Sequence, residues 1–189
     1  MTGWIAYLNS RQGQKLARWV AVAILAVIAG VLQKHDGSDR YQSKPRAELP
    51  ASGAVEGTPK LVDGDSFHMS GTEVRMVGID APEGRQMCQR NGRDWPCGED
   101  ARRKLSSLIG GRQISCRSQE IDQHGRLLGT CYIGPRNLNS EMVASGYAVS
   151  FGARYKREEA EARSARMGLW SGEFQRPQDW RRDHGIGGH

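Results

Sequence analysis

Four cysteines constrain this chain more than any other feature. Cys88, Cys97, Cys116 and Cys131 are separated by 9, 19 and 15 residues, with no Cys-x-x-Cys. Zinc-knuckle spacing is therefore absent. An even count favours disulfides in an exported protein, and four cysteines allow three pairings. Sequence alone does not choose among them, but local pattern favours one. Residues 112–118 and 127–133 read as strands flanking Asp122-Gln123-His124-Gly125, a turn sequence with Gly last. With Gln123-His124 as a two-residue loop, Asp122 faces Gly125 and Cys116 faces Cys131. A one-residue slip would undo the match. Cys88 and Cys97 then close a short loop containing Asn91-Gly92. The plain alternative is four reduced, buried thiols.

The amino-terminal end bears on that choice. Residues 19–32 form an uncharged apolar run, preceded by Arg11, Lys15 and Arg18 with no acid among them. At 1.5 Å per residue it spans about 21 Å, short of a ~30 Å hydrocarbon core unless Leu16 and Ala17 extend it and Arg18 snorkels. It reads as a transmembrane signal anchor or as the core of a cleaved signal peptide; a buried core helix is the third reading. Lys34, Arg40, Lys44 and Arg46 make the other flank basic too, so charge does not set orientation. The cysteines break the tie and place the domain on the extracytoplasmic side, secreted if the segment is cleaved.

The organisation expected is a basic segment 1–18, the apolar helix 19–32, a flexible linker 33–53, a folded domain 54–175 and a flexible tail 176–189 carrying Arg181 and Arg182. Net charge is +6. Residues 1–49 hold seven Lys/Arg against three Asp/Glu and residues 50–189 hold twenty against eighteen, so most of the excess precedes the folded part. A protein that coats nucleic acid by global charge is disfavoured; anion binding must be local. Arg85, Arg90 and Arg93 in loop 84–98 supply one such cluster, or merely a solvated loop.

The chemistry concentrates in Leu61–His68, which contains Val-Asp-Gly-Asp, and in Val74–Glu83, which ends Asp80-Ala81-Pro82-Glu83. The first reads as a turn between strands. The second reads as a strand over Val74–Ile79 that stops where Pro82 cannot continue a ladder. Asp65 and Asp80 would stand at strand ends, where hard oxygen ligands can converge on a cation. Such an ion neutralises phosphate charge and presents a water, which a third carboxylate can orient or deprotonate. Arg75 and Arg126 can clamp the phosphate bidentately. Each residue also has a structural reading. The aspartates can form turns, Glu83 can cap a segment, and the arginines can be surface charges. His68, His184 and His189 read as solvent-facing, and Trp170, after Gly168-Leu169, as a core anchor.

These segments resemble the thermonuclease, or staphylococcal-nuclease-like, family. The matching pieces are Val62-Asp-Gly-Asp-Ser66, Val74-Arg-x-x-Gly-Ile-Asp-Ala-Pro-Glu83, Asp122-Gln-His-Gly-Arg126, Asn139–Tyr147 and Gly168-Leu-Trp170, in family order. The resemblance implies an α+β fold, mainly β barrel: a five-stranded OB-fold barrel with three appended helices, here preceded by the N-terminal hydrophobic helix. It implies Ca²⁺-dependent hydrolysis of DNA and/or RNA, single- or double-stranded, to 3′-phosphate products. Asp65, Asp80 and the backbone of Ala81 become metal ligands, with Asp63 in the outer shell. Glu83 becomes the base or water-orienting carboxylate, and Arg75 and Arg126 the phosphate arginines. Gln123-His124 replaces a Lys-Tyr pair, leaving His124 as a pH-dependent contact. Tyr155, or Phe151, loosely matches the aromatic substrate contacts. The expected enzyme is a monomer tethered to a membrane. The alternative is a non-catalytic OB-fold module of the cell envelope that binds nucleic acid or protein; a third reading is an interaction domain whose acids hold structural calcium.

Three helices follow from periodicity and capping: Glu99–Ile109 ended by Gly110-Gly111, Asn137–Ser145 ended by Gly146, and Lys156–Met167 ended by Gly168.

Overall fold

The computed structural model describes residues 53–186. The apolar run 19–32 and most of the expected linker lie outside the described residues. No helix among the described residues is long and apolar enough to cross a membrane.

Five principal strands build one curled sheet: β1 (Ala54–Gly57), β3 (Ser66–Met69), β4 (Thr72–Met76), β8 (Ile114–Ile121) and β9 (Leu127–Ile133). Its order is β1-β8-β9-β4-β3. β2 (Lys60–Leu61) extends one edge, and β10 (Arg136–Asn137) pairs with β9. All pairs are antiparallel except β4 with β9, which are parallel. The two sides of the sheet approach where Ser70 Oγ donates to the Glu56 carbonyl at 2.7 Å. The interior is filled by alternating residues such as Phe67, Val74, Met76, Leu127 and Cys131, all buried. This is the five-stranded, mainly β fold expected from the sequence.

Among the described residues four helices cover it rather than three. They are α1 (Cys97–Ile109), α2 (Leu138–Ala144), α3 (Lys156–Ser164) and α4 (Pro177–Asp183). The last lies where a flexible tail was expected. Its signals were present: Pro177 opens the first turn, Asp179 suits the positive helix end, and Arg181 and Arg182 suit the negative one.

Both disulfides form as expected, Cys116–Cys131 and Cys88–Cys97. The turn that led to the first pairing is different. Asp122 N–H donates to the Arg126 carbonyl at 2.9 Å, so the loop is the three residues Gln123-His124-Gly125, with Gly125 in the left-handed region at φ 79°. That puts Ile121 opposite Leu127, whereas Ser118 is opposite Gly129 and Cys116 opposite Cys131. An extra residue in β8 between Ser118 and Ile121, a β-bulge, absorbs the difference. The longer loop and the bulge cancel, which is why the cysteine match survives.

Loop 84–98 is itself a hairpin. β6 (Cys88–Arg90) and β7 (Arg93–Trp95) pair around Asn91-Gly92, both at positive φ. The Cys88–Cys97 bond ties this hairpin to the start of α1. Replacing both cysteines by Ser is expected to remove about 2–3 kcal/mol, from the entropy of a nine-residue loop. Urea unfolding of the oxidised full chain beside the double variant checks it; equal midpoints would contradict it.

The strand expected over Val74–Ile79 is broken. β4 ends at Met76, Val77-Gly78 turns, and a short β5 (Ile79–Asp80) pairs with β11 (Val149–Ser150). Gly78 adopts φ +79°, and a side chain there would press on Arg154 and Tyr155. The break delivers Asp80 to a different sheet from Arg75. Leu169, fully buried, anchors the turn after α3, while Trp170 is only partly buried and packs edge-on against Phe174.

Candidate active site

The Asp63–Asp65 turn is fixed by its own side chain. Asp63 Oδ1 accepts from Asp65 N–H at 3.0 Å and from Ser66 N–H at 2.8 Å. Gly64 lets this turn press against its neighbours: a Cβ there would lie 2.7 Å from Ala81 Cβ and 2.8 Å from Ala101 Cβ. The turn therefore seats Asp65 beside the end of β5. Asp65 Oδ2 accepts from Ala81 N–H at 2.8 Å, and Asp65 O accepts from Met76 N–H at 2.8 Å.

Four of the expected site residues thus converge. Asp65 and Asp80 are buried, with side chains 3% and 4% exposed. Arg75, opposite Ser66 in the β3–β4 register, places Nη2 3.8 Å from Asp65 Oδ2 and 3.6 Å from Asp80 Oδ1. Glu83 follows the Pro82 bend. Its backbone is held by Gln86, whose Oε1 accepts from Glu83 N–H at 3.3 Å and whose N–H donates to Glu83 O at 2.7 Å. Burial first, then the neighbouring Asp63 carboxylate, push the Asp65 carboxyl well above the usual range; Arg75 and the Ala81 N–H pull the other way.

Among the described residues no group of three His, Cys, Asp or Glu side chains converges in metal-ligating geometry. The candidate set is smaller: two hard carboxylates, Asp65 and Asp80, beside the buried backbone of Ala81. An oxygen-only set of this kind fits a hard divalent cation such as Ca²⁺ and not zinc.

The remaining expected residues lie apart from these carboxylate contacts. Arg126 stands just before Leu127, which pairs with Val74, so it flanks the strand that carries Arg75. Its guanidinium is engaged by Asp122 at 2.7–2.8 Å. Burial tends to raise the Asp122 carboxyl, but hydrogen bonds from Arg126 and from His124 N–H leave it below its ordinary value. His124 is exposed at the same turn. Tyr155 is half-buried against the core and accepts from Asn137 Nδ2 at 3.3 Å, whereas Phe151 is 54% exposed. Of the loop arginines, Arg90 is structural. Its guanidinium lies 3.7 Å over the Trp95 ring and donates to Gly168 O at 3.2 Å. Arg85 and Arg93 are exposed.

One residue at the site was missed. Arg181, on α4, donates from Nη1 to Asp80 Oδ1 at 2.8 Å and to Glu83 Oε1 at 2.9 Å, and from Nη2 to Asp80 Oδ2 at 3.2 Å. Burial works to lower this guanidinium, but the bonds to Asp80 and Glu83 hold it above its ordinary value. The helix signals at 177–183 were legible; its landing place was not, because 98 residues separate Arg181 from Glu83.

The class this fold defines is a small curled β sheet covered by helices, with two buried aspartates, a nearby glutamate and two arginines brought together on it. The family model described as staphylococcal nuclease homologue matches residues 73–172, more than half of the chain, and the chain belongs to that family. It is 34% identical over 145 residues to Protein ParB of Escherichia coli, covering 66% of this chain and 77% of that one. It is 31% identical over 144 residues to the micrococcal nuclease of Shigella flexneri, covering 65% and 78%. A match to the "Probable staphylococcal-like nuclease CAN2" of Oryza sativa subsp. japonica is 38% identical over 116 residues, covering 58% of this chain and 29% of the plant protein. The chain thus spans under a third of that plant relative.

Proposed function

We propose that this chain is a Ca²⁺-dependent nuclease that hydrolyses DNA and/or RNA to 3′-phosphate products. The observation that carries this reading is the meeting of Asp65, Asp80, Glu83 and Arg75 in a domain of this family. Asp65, Asp80 and the Ala81 backbone would hold the ion. When bound, it would act as a Lewis acid and neutralise charge developing on the phosphate. Arg75 then faces the same charge with its planar donors. Arg126, released from Asp122, would clamp a second phosphate oxygen. Glu83, partly exposed beside Asp80, accepts the proton of the attacking water. His124 and Tyr155 would border the substrate, with Phe151 as the exposed aromatic available for stacking.

Two further parts of the reading concern location. The domain works as a monomer outside the cytoplasm, tethered through 19–32 or secreted. Its two disulfides support an oxidising compartment.

The test is hydrolysis of single-stranded DNA by the oxidised full chain. Cleavage with Ca²⁺ is expected, with loss of at least about 100-fold in excess chelator, and the products should carry 3′-phosphate ends. Equal rates with and without chelator would remove the metal from this account. A folded, oxidised protein that binds DNA without cutting it would leave the binding module.

A further inference from the structure

Arg181 makes a contact that a metal-dependent site does not need. Its guanidinium takes both oxygens of Asp80 and one of Glu83. Arg75 differs. Its Nη2 stands back at 3.8 Å from Asp65 and 3.6 Å from Asp80, beyond hydrogen-bond distance. Arg181, bonded to both carboxylates, compensates their charge.

The segment that delivers Arg181 is seated by specific bonds. Glu173 and Gln89 exchange backbone hydrogen bonds at 2.8 Å in both directions. The buried Gln86 donates from Nε2 to the Gln175 carbonyl at 2.7 Å. Pro177 is buried, and Arg176 lies 3.5 Å from Glu159. Gln86 is also the residue that holds the Glu83 backbone. The strap that carries Arg181 and the loop that carries Glu83 are therefore fastened by one side chain. The helix itself is only seven residues long, so it has little stability without these contacts.

We propose that α4 is an intramolecular strap, and that Arg181 competes with the divalent cation for Asp80. This inference rests on the metal reading given under Proposed function. A cation sharing Asp80 with Arg181 would face a fixed positive charge at contact distance. Metal binding and docking of α4 are then coupled, and linkage makes the coupling reciprocal. Removing Arg181 strengthens metal binding, and adding metal loosens α4. The chain carries its own stand-in cation, which quiets the acidic site until Ca²⁺ is abundant.

The experiment is calorimetric titration of Ca²⁺ alone into the full chain, without nucleic acid, for wild type and Arg181→Gln. About tenfold tighter binding by the variant is expected, within the usual range of such couplings. Equal or weaker binding by Arg181→Gln overturns the proposal and leaves the nuclease reading standing. Absence of Ca²⁺ binding by either protein overturns both. A second measurement needs no variant. Amide hydrogen exchange over residues 177–183 of the wild type should speed up on saturation with Ca²⁺, and unchanged or slower exchange would overturn the strap.

Discussion

Glu83→Gln is expected to lower phosphodiester hydrolysis by about 10²–10⁴-fold while the protein stays folded. The substitution keeps the shape and removes only the proton acceptor. Glu83 is placed by its backbone, through two hydrogen bonds with Gln86, and by the Pro82 bend. Neither depends on the carboxylate. A glutamine oxygen can still accept from Arg181 Nη1, so the strap contact loses charge but not its partner. Initial rates with single-stranded DNA at saturating Ca²⁺ read the first effect, and a thermal melt reads the second. Ca²⁺ binding should persist, because Asp65 and Asp80 are untouched. A variant retaining more than about a tenth of wild-type activity would exclude Glu83 as the base. That result would leave the attacking water oriented or deprotonated by another group. This is also the comparison that separates an enzyme from a binding module, since a binder has no use for the ionised form of Glu83.

The second large effect is on stability. Asn139 is fully buried on α2 and links three backbone groups of the barrel. Its Oδ1 accepts from Cys131 N–H at 2.9 Å, and its Nδ2 donates to Val77 O at 2.9 Å and Gly129 O at 3.2 Å. Gly129 O keeps Val77 N–H as a donor if Asn139 is removed. Cys131 N–H, which is buried, would be stranded, whereas Val77 O is only part-buried. At about 1–3 kcal/mol for a buried group left unpaired, Asn139→Ala should cost about 1–3 kcal/mol. Val77 is the first residue of the turn that separates Arg75 from Asp80, so residual activity should fall further than stability alone requires. Denaturant unfolding with the disulfides intact measures the first effect. A loss under about 1 kcal/mol would mean that water replaces the amide at this site.

The same residues show how far a sequence carries. Asp63, Gly64 and Asp65 were legible because a turn of this kind is local. The side chain of one residue bonds the backbone two and three positions on. The α1 and α2 helices were legible for the same reason, from apolar spacing and Gly ends. The hairpin of β8 and β9 was legible, but its bulge was not. A bulge is set by how two whole strands pack, not by the four turn residues. The β6–β7 hairpin passed as a loop because its strands are three residues each, although Asn91-Gly92 marked the turn. The break at Val77-Gly78 was hidden inside an apolar run. Asn139 was visible as part of a motif, yet its task requires knowing that α2 lies across Val77, Gly129 and Cys131.

Composition and motif order by themselves determined the kind of domain and most of the acidic and basic groups that meet, and they favoured the two cysteine pairs that form. These follow from short-range rules: strand alternation, turn chemistry, and residue types suited to hard cations and phosphate. Only the tertiary structure decided which charges touch. It set Asp65 against Ala81 through the space left by Gly64, engaged Arg126 with Asp122, and spent Arg90 on Trp95. It also carried Arg181 across the fold to Asp80 and Glu83. The physical reason is that an ion pair depends on distance in space, and the chain closes that distance only when the barrel and its carboxy-terminal strap are packed.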